Sequence, residues 1–103
     1  MKQVFWVMVE VDQEDDMRCI WKYKLAIMDS QSIEVPRGFR VPLTVQMQDG
    51  IPYLWCNVDP EDKERITRYI YCVGTGDRIP ERALQYISTI QEGPYVWHWF
   101  WGV

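Results

Sequence analysis

The sequence predicts an all-β domain: a compact antiparallel sandwich or small barrel of six to seven strands, with at most one short helical turn. Three observations carry that expectation. Apolar and polar residues alternate in one segment after another, while a helical period is nearly absent. Residues 41–58 hold an Asp49-Gly50 pair between two alternating runs, the strongest short-range hairpin signal. Clusters of Pro, Gly and Asp then punctuate the chain roughly every 8–12 residues.

The elements follow in chain order. Run 19–27 sets Cys19, Trp21, Tyr23, Leu25 and Ile27 on one side and Ile20, Lys22, Lys24 and Ala26 on the other. This pattern describes a half-buried strand with lysines on its open face. Ile33-Glu34-Val35 is a short strand closed by the turn Pro36-Arg37-Gly38. In the hairpin, a two-residue loop pairs Val45 with Leu54, Leu43 with Cys56 and Val41 with Val58. Thr44, Gln46, Gln48, Tyr53 and Trp55 gather on the opposite face. Asp59-Pro60 places an N-cap residue before a first-turn proline, which predicts one helical turn inside a loop.

A β-rich run follows at 65–73 and is broken by Gly74-Thr75-Gly76-Asp77. Residues 80–84 read as irregular or as a single turn. Two further strands, 86–91 and 95–101, flank Glu92-Gly93-Pro94. As a hairpin they set Ser88 and Tyr86 beside Trp97 and Trp99, and Ile87 and Thr89 beside His98 and Val96. In the last strand Tyr95, Trp97, Trp99 and Trp101 share one face, and Val96, His98 and Phe100 share the other. Both faces are apolar, so the strand is expected to be central. One face enters the core; the other needs a cover from a strand, a second subunit or a ligand.

Composition narrows the class. A chain of 103 residues with 48% hydrophobic content is sized for one domain with its own core. The longest apolar run, 4–9, is six residues, far short of the ~20 a membrane helix needs. No cleavage pattern follows it, so neither a membrane span nor a signal peptide is expected. The net charge of −4 lies wholly in residues 1–16, where Lys2 stands against Glu10, Asp12, Glu14, Asp15 and Asp16. That acidic segment, with 4–11 as a candidate edge strand, is set apart from a single β domain at 17–103. Met17 is an alternative first residue of the compact body. The segment reads as a solvated connector or as an acidic arm for a basic partner. The neutral body argues against direct nucleic-acid binding, which favours a basic stripe.

Cys19, Cys56 and Cys72 stand far apart and form no Cys-x-x-Cys pair. No metal site is expected, and reduced thiols in the cytoplasm are the default. Gly74-Thr75-Gly76 reads as a strand-ending turn or as a bend whose amides attract an anion, with Arg78 nearby. It lacks the lysine and following helix of a P-loop. His98, the only histidine, is a candidate general base, with Cys56 or Cys72 as nucleophile and Asp59 or Asp77 as orienter. No spacing selects these partners, so no catalytic residue, cofactor or enzymatic activity is expected. Gln46, Gln48, Tyr53 and Trp55 combine amide edges with ring planes, a set suited to reading a base or to an ordinary sheet face.

Several motifs are shared with a known group. Trp21-Lys22-Tyr23, SIEVPRG, VQMQDGIPYLWCNVDPE, VGTGDRIP, YISTIQ and Val96-Trp97-His98-Trp99-Phe100 resemble a family of small uncharacterised phage and prophage β proteins. The family pattern runs W-K-Y-P-L, V-Q-x-Q-x-G-x-P-x-L-W-x-x-V-D-P, G-T-G and F-H-V-F, over residues 17–103. Lys24 departs from its Pro, Cys72-Val73 from its Ile-Tyr, and the tail is richer in Trp. The resemblance implies a small β protein of phage origin, a setting in which counter-defence is frequent.

Two functions follow as expectations. The first is capture of a nucleotide-derived small molecule. Trp21, Trp55 or Trp97 would stack the base, with Gln46 and Gln48 reading its edge. Lys22, Arg68 or Arg78 would hold phosphate with the amides of Gly74 to Gly76, and Tyr53, Thr75 and His98 would complete the lining. The second is a protein-binding inhibitor of a host defence enzyme, using the aromatic face and the acidic segment 10–16. A virion accessory or structural role stands third. Self-association through the aromatic surface is expected under any of them.

Overall fold

The computed structural model describes residues 18–40 and 42–103. The expected edge strand at 4–11, the acidic segment, Met17 and the Val41–Val58 pair lie outside them. Seven strands form: β1 (Cys19–Lys24), β2 (Ser30–Pro36), β3 (Pro42–Gln48), β4 (Ile51–Val58), β5 (Arg65–Gly74), β6 (Ala83–Glu92) and β7 (Tyr95–Gly102). They build two antiparallel sheets, one of order β1-β4-β3 and one of order β2-β5-β7-β6. The sheets pack face to face as a sandwich and do not close into a barrel. The described residues include no helix, and none long and apolar enough to cross a membrane.

The β3–β4 hairpin follows its turn chemistry. Asp49 and Gly50 take φ of 54° and 79°, the left-handed values a two-residue hairpin loop requires. Val45 lies opposite Leu54, as expected. The register then shifts between Pro42 and Thr44, so Pro42 rather than Leu43 faces Cys56. One extra residue on a strand flips the side chains beyond it. Leu43 is 47% exposed, which corrects the expected Leu43–Cys56 pair.

β1 is shorter than its alternation implied. Leu25 N–H donates to the Pro52 carbonyl at 2.9 Å. Beyond it, the Gln31 side-chain amide takes over the backbone of Ala26, accepting from its N–H at 3.0 Å and donating to its carbonyl at 2.7 Å. The chain bends there, leaving Ile27 39% exposed rather than in the core. β2 is longer than its apolar centre, because Ser30, Gln31 and Ser32 pair with β5 despite their polarity. At Asp59 a turn replaces the expected helical turn: Asp59 Oδ1 accepts from Glu61 N–H at 3.0 Å, and its carbonyl from Asp62 N–H at 3.2 Å.

β7 is central, flanked by β5 and β6. Ser88 faces Trp99 and Thr89 faces His98, the expected faces but two residues along β7 from the expected Trp97 and Val96, and a register shift between Tyr86 and Ser88 places Tyr86 opposite Phe100. Tyr86 therefore joins the His98 face, and Ile87 packs against the core instead. That core lies between the sheets around Trp99, Leu54, Ile70, Val35, Val45 and Val58. Ser88 links the sheets where β3 and β6 adjoin: its Oγ accepts from Val45 N–H at 2.8 Å and lies 3.0 Å from Thr44 Oγ1.

Candidate functional site

Period-two alternation along β7 sends Trp97, Trp99 and Trp101 toward the core and leaves His98 and Phe100 on the outer face of the four-stranded sheet. Opposite them on β5 stand Val73 and Tyr71, and on β6 Thr89 and Tyr86. Here β5 ends at Gly74, and the chain turns with Asp77 N–H donating to the Gly74 carbonyl at 3.0 Å. Gly76 takes φ of 95°, open to solvent where a Cβ would stand. That loop walls an outward-facing hollow of about 260 Å³ lined by Val73, Gly74, Thr75, Gly76, Asp77, Ile79, Tyr86, His98 and Phe100.

The polar groups of this hollow form one chain. Thr75 Oγ1 lies 2.8 Å from His98 Nε2, and Thr89 Oγ1 lies 3.0 Å from His98 Nδ1. Tyr86 Oη continues it, 2.8 Å from Thr89 Oγ1. A neutral imidazole donates from one nitrogen and accepts at the other, and hydroxyls serve either need. Both ring nitrogens are thus engaged, and the imidazole plane is fixed. The Tyr86 and Phe100 rings meet edge to face at 5.8 Å and 74°, an arrangement aromatic pairs favour. The result is a ring-lined cavity with hydroxyls on one side and Asp77 in its wall.

Two further hollows adjoin it. One, of about 310 Å³, shares Gly74, Thr75 and Asp77 and is completed by Pro94, Tyr95, Val96 and Trp97. The other, of about 270 Å³, shares Val73 and Asp77 and contains Asp29, Cys72, Arg78 and Pro80. The sequence-expected residues Gly74, Thr75, Gly76 and His98 therefore meet in one place, with Trp97 and Arg78 as neighbours.

The others lie elsewhere. Lys22, Gln46, Gln48, Tyr53 and Trp55 occupy the outer face of the three-stranded sheet, on the far side of the sandwich. There Lys22 Nζ donates to Gln48 Oε1 at 2.8 Å and sits 4.4 Å over the Tyr53 ring. Gln46 Nε2 donates to Thr44 Oγ1 at 3.0 Å. Both amides are thus already engaged with neighbours. Beside them a shallow apolar hollow of about 330 Å³ is lined by Ile20, Leu43, Thr44, Gln46 and Trp55. Trp21 packs against the core. Arg68 holds its guanidinium 5.8 Å from both the Phe39 and the Trp101 rings and lines none of the three hollows at the end of β5. Val73, Asp77, Ile79, Tyr86 and Phe100 are the lining residues the ligand reading did not include. Phe100 was signalled by its alternation with His98; Ile79 has no local signal.

Neither buried thiol approaches His98. Cys56 and Cys72 face the core, and Cys72 stands opposite Trp99 on the other side of the sheet from the imidazole. Burial pushes the Cys56 thiol from 9.0 up to about 12. It pushes Cys72 from 9.0 up to about 11, with Asp29 adding to the effect. Both stay protonated at neutral pH. A folded-state value above the unfolded one gives stability that is complete below the unfolded value and is lost as pH rises past it. Unfolding free energy is therefore expected to fall between about pH 9 and pH 12. Urea midpoints at pH 8 and pH 10.5 check this, and Cys56→Val is expected to shrink the difference between them.

Among the described residues no group of three or more His, Cys, Asp or Glu is placed to hold a metal ion. A family model described as a domain of unknown function, DUF7352, matches residues 17–102. No curated protein and no solved structure matches the chain.

Proposed function

This chain belongs to the DUF7352 family, and we propose that it is a binding module that captures a nucleotide-derived small molecule by its base. The observation that carries this reading is the hollow on the outer face of the four-stranded sheet. There Tyr86, Phe100 and His98 present ring surfaces to solvent beside a glycine turn. Its volume of about 260 Å³ falls just below the roughly 300–1,000 Å³ of drug-sized sites, which suits one flat ring system and not a large cofactor.

Charge assigns the parts of the ligand. No Lys or Arg lines this hollow, and the acidic residue Asp77 does. A phosphate is disfavoured there, whereas a base, or the hydroxyls of a sugar donating to Asp77, is accepted. Arg78 lines the adjoining hollow across Val73 and Asp77 and would meet a single phosphate. The fixed imidazole offers its ring surface, and the Thr75 hydroxyl an edge contact, at low ordering cost. In the phage setting that the sequence resemblance implies, holding a host nucleotide signal without converting it is a counter-defence role.

The test is retention. Protein exposed to a host nucleotide extract, washed and denatured, is expected to release a compound absorbing as a nucleobase. Tyr86→Ala should reduce the retained amount about tenfold or more, since one base–aromatic stack is worth roughly 1–3 kcal/mol. Tyr86 is 55% exposed, so the variant is expected to fold. A second reading, cover of a host protein, is favoured by the apolar patch of Ile20, Leu43 and Trp55 on the opposite sheet. Recovery of a host polypeptide that is lost on Ile20→Glu, with no small molecule released, would reverse the order of the two.

A further inference from the structure

We propose that the site takes two rings: a dinucleotide-type ligand whose second base stacks on Tyr95 and Trp97. This inference rests on the base-binding reading above and extends it to a second subsite.

The rings of Tyr95 and Trp97 lie nearly parallel, at 16°, with centroids 5.6 Å apart. Tyr95 is 59% exposed, while Trp97 behind it packs against the core, so the Tyr95 ring presents an aromatic face to solvent from an anchored stack. Trp97 Nε1 donates to Glu92 Oε1 at 3.3 Å, which holds the indole plane in place before anything binds. The stack borders the hollow of about 310 Å³ that also includes Pro94 and Val96. An exposed, rigid aromatic surface of this kind is a stacking platform for a base.

The two hollows share a wall at the end of β5. Gly74, Thr75 and Asp77 line both, so a ligand with a ring in each must pass over this turn. The turn suits a short polar linker. Thr75 Oγ1 is oriented by His98 at 2.8 Å, and Gly76 leaves open space where a side chain would stand. Asp77 is the charged residue common to both hollows, and neither is lined by Lys or Arg. A phosphodiester crossing here needs Arg78, next to Asp77 in the third hollow, as its counter-charge, and a triphosphate is disfavoured.

Equilibrium titrations of the full chain test the idea, using the four ribonucleoside 5′-monophosphates and the four matching homodinucleoside monophosphates. For at least one base, the dinucleoside monophosphate is expected to bind about tenfold or more tightly than its mononucleotide. Tyr95→Ala should abolish that advantage while leaving mononucleotide affinity within about twofold. Tyr86→Ala should weaken both ligands. Equal affinity for the two ligand classes, or an advantage that survives Tyr95→Ala, would overturn the second subsite and leave the first standing. Failure of every mononucleotide and every dinucleoside to bind would overturn both.

Discussion

Trp99→Ala is expected to cost about 3–5 kcal/mol of unfolding free energy, the range for deleting a large aromatic from a packed core. Trp99 is 0% exposed and lies in the centre of β7, with Cys72 on one side and Ser88 on the other. It fills the space between the sheets with Leu54, Val45 and Ile70. Typical domain stability is about 5–15 kcal/mol, so the variant is left marginal. Trp99→Phe separates two contributions. The indole Nε1 is buried with no hydrogen-bond partner, and burying an unpaired donor costs about 1–3 kcal/mol. Phe removes that donor while keeping most of the ring. Its cost is therefore expected to be well under half that of Ala. Urea unfolding at constant m-value measures both. An Ala variant that loses less than about 1 kcal/mol would mean that the core does not centre on this strand.

The same strand shows how far sequence reaches. Alternation along 95–101 separates the Trp99 face from the His98 face, because the side-chain period of a strand is a local property. The Asp49-Gly50 hairpin is legible for a similar reason: both residues adopt the positive φ the loop demands, and the turn sets the Val45–Leu54 register beside it. Further from the turn, local rules fail. The shifts at Leu43 and Ile87 each add one residue to a strand, and nothing in the local pattern announces either. Each arises where β3 and β6 meet at the junction of the two sheets, near the Ser88 hydroxyl. The shift at Ile87 reaches the candidate site, since it turns Tyr86 outward and so builds one wall of the hollow.

The site was legible only in its pieces. Gly74-Thr75-Gly76 and His98 both stand out in the sequence, but they meet because β5 pairs with β7 across an intervening strand and loop, Val73 against His98. Pairing between non-consecutive strands has no local code. Gln46, Gln48, Tyr53 and Trp55 show the converse. Their shared face follows from the hairpin pattern, yet nothing local says that this face and the His98 face point to opposite sides of the sandwich. Charge type alone is no guide to place either: Lys22, Arg68 and Arg78 are alike in sequence, whereas the fold sets Lys22 against Gln48, Arg68 beside two aromatic rings and Arg78 beside the hollow.

Gly102→Ala is expected to cost about 3 kcal/mol or more, through backbone contact rather than conformation. Gly102 ends β7, opposite Tyr69 on β5 and Ala83 on β6. A Cβ built there would overlap the Arg82 carbonyl oxygen and stand 2.8 Å from its carbon. No rotamer relieves a clash with backbone, so the start of β6 must move away from β7. Gly50 provides the contrast. It has φ of 79° and nothing within 4 Å of a built Cβ, so Gly50→Ala should cost only the conformational penalty of about 1–2 kcal/mol. The two variants also differ in reach. Displacing Ala83 and Leu84 draws on the strand that carries Tyr86, so Gly102→Ala should weaken base retention at temperatures where it is still folded. Gly50→Ala lies in the other sheet and should leave retention unchanged. Equal stability losses for the two variants would show that the end of β7 does not rest against Arg82 as described.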